Sequence, residues 1–238
     1  MDLVNNLRPW EQYWSKGMKN KRNFLRNSGQ LSHPSRTLIA ELASKFDTVL
    51  ECGCATAIDY PLHVKLGTEY TGIDITQKFV DASKEHNPGI NTRWASMLDL
   101  PFGDRSYDTV YCRAVLEHMH PLEWPLGVKE MWRVCDKQMI LAFFNCSPER
   151  KRAFISFNNS SAEPEQASIL ERMKSKTEGL DVGGVYNNSI AAPDVVDVIK
   201  WVGGESWYKE EAGTPLIEVD GRKVKTGWKK YHIYVIEK

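Results

Sequence analysis

Apolar positions fall into short runs separated by stretches of helical period between residues 34 and 144. Thr48 to Glu51, Glu69 to Asp74, Ile90 to Trp94, Tyr107 to Cys112 and Gln138 to Phe144 read as strands. The last is a continuous apolar run, the pattern of a strand covered on both faces. Helices fill the gaps. One starts at His33-Pro34-Ser35 and runs to about Ser44, with Leu38, Ile39 and Leu42 as its buried stripe. Others span Ile58 to Leu66, closed by Gly67, and Gln77 to about Glu85, opened by Thr76 and broken at Asn87-Pro88-Gly89. A further helix covers Leu122 to Val134. Strands alternating with helices argue for an α/β fold with a parallel sheet.

The flanks differ. Pro9 to about Lys19 reads as a helix with Trp10, Tyr13 and Trp14 on one face, packed on the core or acting as a lid. Lys19 to Arg26 is a basic cluster that reads as a solvated face. Residues 145 to 190 are rich in Ser, Asn and Gly around one charged helix candidate and form an insertion. A helix from Asp194 to Val202 resumes the core pattern, and four extended segments follow: Ser206 to Glu211, Pro215 to Val219, Arg222 to Thr226 and Tyr231 to Glu237. Asp220-Gly221 between two alternating runs is a hairpin signal. The reading is residues 1–33 as a helical cap and 34–238 as one α/β domain, with insertions at 145–190 and 213–230.

Composition narrows the classes. The chain has 238 residues, 42% of them hydrophobic and 26% charged, which is ordinary for a globular protein. Lys plus Arg and Asp plus Glu both number 31, which argues against a broad nucleic-acid binder. Five scattered cysteines suggest neither a disulfide framework nor a metal site, and fit free thiols in a reducing cytoplasm. No apolar run is long enough to span a membrane, and no signal peptide is legible.

The chemistry concentrates at Val49-Leu50-Glu51-Cys52-Gly53-Cys54-Ala55-Thr56-Ala57. A strand running into a small-residue turn and then a helix is half of a nucleotide-binding crevice. Small residues there let a ligand approach the backbone and the amides of the helix start. About 20 residues on, such folds place an acid on a ribose hydroxyl, and Asp74 ends the next strand.

Further motifs follow in order. Ser96-Met97-Leu98-Asp99-Leu100-Pro101-Phe102-Gly103-Asp104 leads into the strand at Tyr107-Asp108, and Ala114-Val115-Leu116-Glu117-His118-Met119 follows that strand. Together with the glycine turn, these resemble the S-adenosylmethionine-dependent methyltransferases of the Rossmann-like class, in particular the small-molecule type 11 kind. The resemblance covers roughly residues 45 to 145. It implies a doubly wound, mostly parallel seven-stranded sheet of order 3-2-1-4-5-7-6, with an N-terminal helical cap and an insertion after the fifth strand.

The resemblance also implies site residues. Glu51 falls on the family's acid and Gly53 on its first glycine, while Ala55 and Ala57 stand where glycine is usual. Either the Ala55 methyl crowds the cofactor or that position needs no positive φ. The turn Gly53 to Ala57, including Cys54 and Ala55, would lie beneath the methionine moiety, with Glu51 fixing the turn or the amine, directly or through water, and Arg113 and Ala114 bordering it. Asp74 would hold the ribose and Ile75 the adenine. Ser96, Met97 and Leu98 would meet the adenine edge, Ser96 standing where the family often has an acid and Asp99 being a weaker candidate. Tyr13 would close the site from the cap. His118, then Glu117, then His120 are candidates for a general base, or else brace the loop after the strand. The cofactor implied is S-adenosylmethionine, giving S-adenosylhomocysteine, and no metal. The expected partner is a small-molecule acceptor methylated at oxygen or nitrogen, without nucleic acid or membrane. No pattern fixes an oligomeric state. The alternatives are an RNA or protein methyltransferase, a non-catalytic cofactor-binding scaffold and an NAD-dependent dehydrogenase. The Leu-Pro-Phe and Glu-His segments speak against the last.

Overall fold

Strand-forming runs and the helices between them build a main sheet of order β3-β2-β1-β4-β5-β9-β6. The structure is a computed structural model and describes residues 34–119, 123–143, 190, 192–212, 216–219, 222–225 and 231–238. The strands are β1 (Thr48–Cys52), β2 (Glu69–Asp74), β3 (Asn91–Trp94), β4 (Tyr107–Arg113), β5 (Cys135–Phe143), β6 (Ser206–Ala212) and β9 (Tyr231–Glu237). The five strands β3-β2-β1-β4-β5 are parallel, and β9 runs antiparallel between β5 and β6. The Asp-Gly signal is met by a hairpin of β7 (Leu216–Val219) and β8 (Arg222–Lys225), paired antiparallel from Leu216↔Lys225 to Val219↔Arg222.

Period-two alternation sends side chains to two cores. On one face Leu50, Cys52, Val110, Cys112, Met139 and Leu141 meet α4 (Trp124–Val134) and α5 (Ala192–Trp201) through Val128, Met131, Val195 and Ile199. On the other, Val49, Tyr70, Tyr111, Ile140 and Val235 meet α1 (Pro34–Ala43) through Ile39, Leu42 and Ala43. The sheet is therefore wound on both sides, the α/β class expected. α2 (Tyr60–Leu66) ends at Gly67 in the left-handed region, φ 75°, as read from sequence. α3 (Gln77–His86) packs on β2 and β3, where the Ser83 and Thr92 hydroxyls share a 2.7 Å hydrogen bond.

Two boundaries shift for physical reasons. β5 begins at Cys135, three residues before the expected start. The polar pair Asp136-Lys137 hid it, yet Lys137 Nζ is bound to Asp108 at 2.7 Å across the sheet. α2 begins at Tyr60 rather than Ile58, because the turn after β1 takes left-handed steps up to Ala57. Thr76 does stand at the N-cap of α3, but its hydroxyl makes no capping bond.

Polar clamps explain two of the motifs. Asp108, the acid of the Tyr-Asp pair, accepts from the Thr48 amide and hydroxyl, both at 3.0 Å, and ties β4 to the start of β1. Arg133 of α4 donates to the Leu100 and Phe102 carbonyls at 3.1 and 2.9 Å, while Glu130 accepts from the Leu100 amide. The Leu-Pro-Phe loop is thus held from α4. The cap helix with Tyr13, the basic cluster, His120 and the insertion at 145–189 lie outside the described residues.

Candidate functional site

The carboxyl ends of the parallel strands bring the candidate residues to one edge. β1 feeds Gly53, whose φ is 77°. The Gly53 and Cys54 amides both donate to the Ile73 carbonyl, at 2.8 and 2.9 Å, so the turn folds back over the end of β2. A Cβ on Gly53 would come within 2.5 Å of Val115 Cγ2. Space at this glycine is therefore taken by the segment after β4, in addition to any ligand.

Ala55 and Ala57 have φ values of 48° and 53°. Of the two readings open from sequence, the one in which no positive φ is needed is overturned: both alanines adopt the backbone that glycine would. Ala114, after β4, does the same at φ 56°. Three of the four described non-glycine residues with positive φ therefore lie along this edge. Such strain, ~1–2 kcal/mol per residue, gathers at sites whose shape is over-determined by their surroundings. Ala55→Gly is expected to stabilise the fold by about 0.5–1 kcal/mol, since glycine removes the strain but adds unfolded-state entropy. Ala57→Gly should give no gain, because its methyl is fully buried and would leave a void. Urea unfolding of the two variants checks this, and equal shifts would refute it.

Asp74, 7% exposed, ends β2 and joins the two turns. Its Oδ2 accepts from the Ala55 amide at 2.9 Å and its Oδ1 from the Thr76 amide at 2.8 Å. Burial lifts its pKa to about 6 against the pull of these N–H groups. Each oxygen keeps a further lone-pair direction. Ile75 beside it is half-buried.

Under the turn lies a buried polar network that joins Glu51 and Arg113, both expected at the site, to Arg36, Asp59, His63 and Tyr111, which sequence reasoning missed. Glu51 Oε2 accepts from the Tyr70 hydroxyl at 2.5 Å, and Tyr111 is a second hydroxyl partner. The Tyr111 hydroxyl also meets His63 Nε2 at 3.0 Å. Burial pushes Glu51 up to about 8 and holds His63 down to about 4. Asp59, 2% exposed, binds Arg36 Nε on α1 and Arg113 Nε, the latter at 3.2 Å. Burial would raise its pKa, but Arg113 and Arg36 outweigh that and hold it below the ordinary carboxylate range. Arg36 also donates to the Ile58 carbonyl. The only sequence signal for this network was polar residues at core-period positions: Glu51 in β1, Arg36 in α1 and His63 in α2.

The remaining candidates separate. Cys54 is buried behind the turn against Gly72, and burial raises its thiol well above the ordinary range, so its side chain packs rather than reacts. Ser96 Oγ accepts from the Leu98 amide at 3.1 Å and braces its own loop. Met97 is buried in the core beside Gly127, and Asp99 is exposed. A short 3₁₀ turn, Leu116–His118, carries Glu117 inward at 1% exposure and leaves His118 half-buried. Among the described residues no group of His, Cys, Asp or Glu could hold a metal ion, and no helix is long and apolar enough to cross a membrane.

Residues 50–143 match a family model described as a methyltransferase domain. No curated protein matches the chain. Solved structures do. Magnesium protoporphyrin IX methyltransferase from Synechocystis, solved with bound S-adenosylmethionine, is 17% identical with a TM-score of 0.57, covering 97% of this chain and 90% of its own. The 1,6-didemethyltoxoflavin-N1-methyltransferase of Burkholderia thailandensis, solved with its substrate and S-adenosylhomocysteine, is 10% identical with a TM-score of 0.58, covering 96% and 86%. A longer chain from Nostoc punctiforme, 13% identical with a TM-score of 0.59, covers 91% of this chain, which spans 59% of it. At these identities the likeness is one of fold.

Proposed function

We propose that the chain is a Rossmann-like methyltransferase that uses S-adenosylmethionine and transfers its methyl group to an oxygen or nitrogen atom of a small molecule, a reading supported by the methyltransferase-domain match over residues 50–143. The observation that carries the reading is the Asp74 junction. A buried carboxylate at the end of β2 is joined to the turn after β1 through the Ala55 amide, and its spare lone pairs suit the two hydroxyls of a ribose. The residues present fit the donor. The turn Gly53 to Ala55 lies beneath its methionine part, Arg113 and Ala114 border it, and Ile75 packs on the base. The loop Ser96 to Leu98, braced by the bond from the Leu98 amide to Ser96 Oγ, faces the adenine edge through the Ser96 and Met97 backbone. Glu51 supports the turn from below through Tyr70 and Tyr111.

When bound, the donor supplies an already activated methyl, so the protein's task is to orient the acceptor in line and exclude water. His118, half-buried after β4, takes the proton from a hydroxyl acceptor, and the buried Glu117 beside it is the second candidate. The acceptor sits beyond Arg113–Met119. The chain leaves this same edge after Phe143, and the hairpin insertion leaves and returns there at the pair Ala212↔Tyr231. The Synechocystis and Burkholderia enzymes, whose acceptors are small molecules, support this class of acceptor. The balanced charge supports a small molecule over nucleic acid, and the free buried thiols suit the cytoplasm.

Calorimetry with S-adenosylhomocysteine, followed by transfer of a labelled methyl group to a panel of hydroxyl and amine acceptors, tests the reading. Absence of any binding by the intact chain would refute it, and binding without transfer to any acceptor would favour the scaffold.

A further inference from the structure

Trp94 ends β3 and stands in register with Asp74. It is 55% exposed, although tryptophan normally buries most of its ring. Its indole is not idle. Nε1 donates to the Ile75 carbonyl at 2.7 Å, and the next residue, Ala95, donates its amide to the Asp74 carbonyl at 3.1 Å. β3 pairs with β2 only as far as Asp74↔Trp94. The chain beyond Asp74 turns away into α3, so no strand amide meets the Ile75 carbonyl. The indole supplies that rung from a side chain. The segment Asp74–Thr76 is then held from two sides. The turn after β1 grips it through the Ala55 amide on the Asp74 carboxylate. The end of β3 grips it through Trp94 and Ala95.

We propose that Trp94 is a positioning residue for the adenosine half of the methyl donor, fixing Ile75 and the Asp74 backbone through its indole N–H. The proposal rests on the donor reading above. A bond to backbone made from a largely exposed ring is a poor device for overall stability, because water competes for the same carbonyl. It is a good device for direction. Ile75 has a flexible alternative without it, since the last rung of the ladder would be missing. A carbonyl fixed at this place also fixes the side chain of Ile75 and the two carboxylate oxygens one residue back.

Trp94→Phe removes the donor and keeps an aromatic ring at an exposed position, so the fold should persist. The variant and the parent are compared with two probes, S-adenosylhomocysteine and 5′-methylthioadenosine, which share adenosine but differ in the amino-acid part. Both should bind the variant about five-fold more weakly, the equivalent of ~1 kcal/mol. KM for the donor should rise by the same factor while kcat holds, and the thermal midpoint should move little. Unchanged affinity for both probes would overturn the proposal, as would a loss confined to S-adenosylhomocysteine, which would place the defect in the amino-acid half. A fall in kcat at constant KM would overturn it too. If the parent chain binds neither probe, the donor reading fails and this proposal fails with it; that result differs visibly from a parent that binds beside an unaffected variant.

Discussion

Asp59→Ala is expected to cost the fold about 3–5 kcal/mol, the range for removing one partner from a buried ion pair. The carboxylate stands between two guanidinium groups, Arg36 at 7% and Arg113 at 8% exposure. Taking it away leaves two cations in the core where one anion had compensated them. A domain's whole stability is ~5–15 kcal/mol, so the variant should be close to unfolded at room temperature. Asp59→Asn should lie between, since its amide oxygen still accepts a hydrogen bond but carries no charge. Urea unfolding of both variants gives the answer. A loss under about 1 kcal/mol for the alanine variant would mean that the arginines find water or another anion, and the triad would not be the anchor described. The carboxylate is held below its ordinary pKa, so its contribution is present above the unfolded value and is lost as pH falls through the lowered folded one.

Asp74→Ala is expected to weaken S-adenosylhomocysteine binding at least ten-fold, ~1.4 kcal/mol or more. Two effects add. On the proposed reading the ribose loses its acceptor; independently, the Ala55 and Thr76 amides lose theirs, so the turn after β1 loosens. Asp74→Asn should be no milder, because its NH2 must face one of those two N–H donors. Affinity of the parent should also fall as pH drops below about 6, where this carboxyl takes up its proton. For the free fold the sign is opposite. A carboxyl whose pKa is raised on folding adds stability that is full below its unfolded value and is lost as pH rises through the folded one. A folded Asp74→Ala variant with unchanged affinity would remove Asp74 from the site.

Period and punctuation made the sheet legible. Val49-Leu50, Tyr70 to Ile73 and Met139 to Phe143 announced strands, Gly67 a helix end, and Asp220-Gly221 a hairpin between the paired runs β7 and β8. Spacing along the chain also brought Gly53 and Asp74 together, because a parallel β-α-β unit returns its second strand beside the first. What stayed hidden depends on contacts between distant residues. Arg36, Asp59 and Arg113 come from α1, the turn after β1 and the end of β4, and nothing local marks any of them as another's partner. Ala57 stands where the family usually has glycine, but alanine itself does not announce a left-handed backbone, and only the fold imposes the strain. Met97, expected at the adenine edge, is buried beside Gly127, whose missing Cβ makes room for it. That space is invisible until α4 has docked.

The antiparallel strand β9 has a consequence for how the chain is made. It lies inside the sheet, between β5 and β6, and its Ile233, Tyr234, Val235 and Ile236 are all at most 1% exposed. In order of synthesis it arrives last of the nine described strands, while its neighbour β5 is finished at Phe143. At roughly 5–20 residues per second, β5 waits on the order of 5–20 s with one edge unpaired. That edge belongs to an apolar strand, the kind that recruits other chains. A nascent chain of this protein therefore passes through a window in which the half from β1 to β5 can be assembled but not closed. In that window the β5 edge is open to pairing with a neighbour on the same polysome, and only the arrival of β9 closes it.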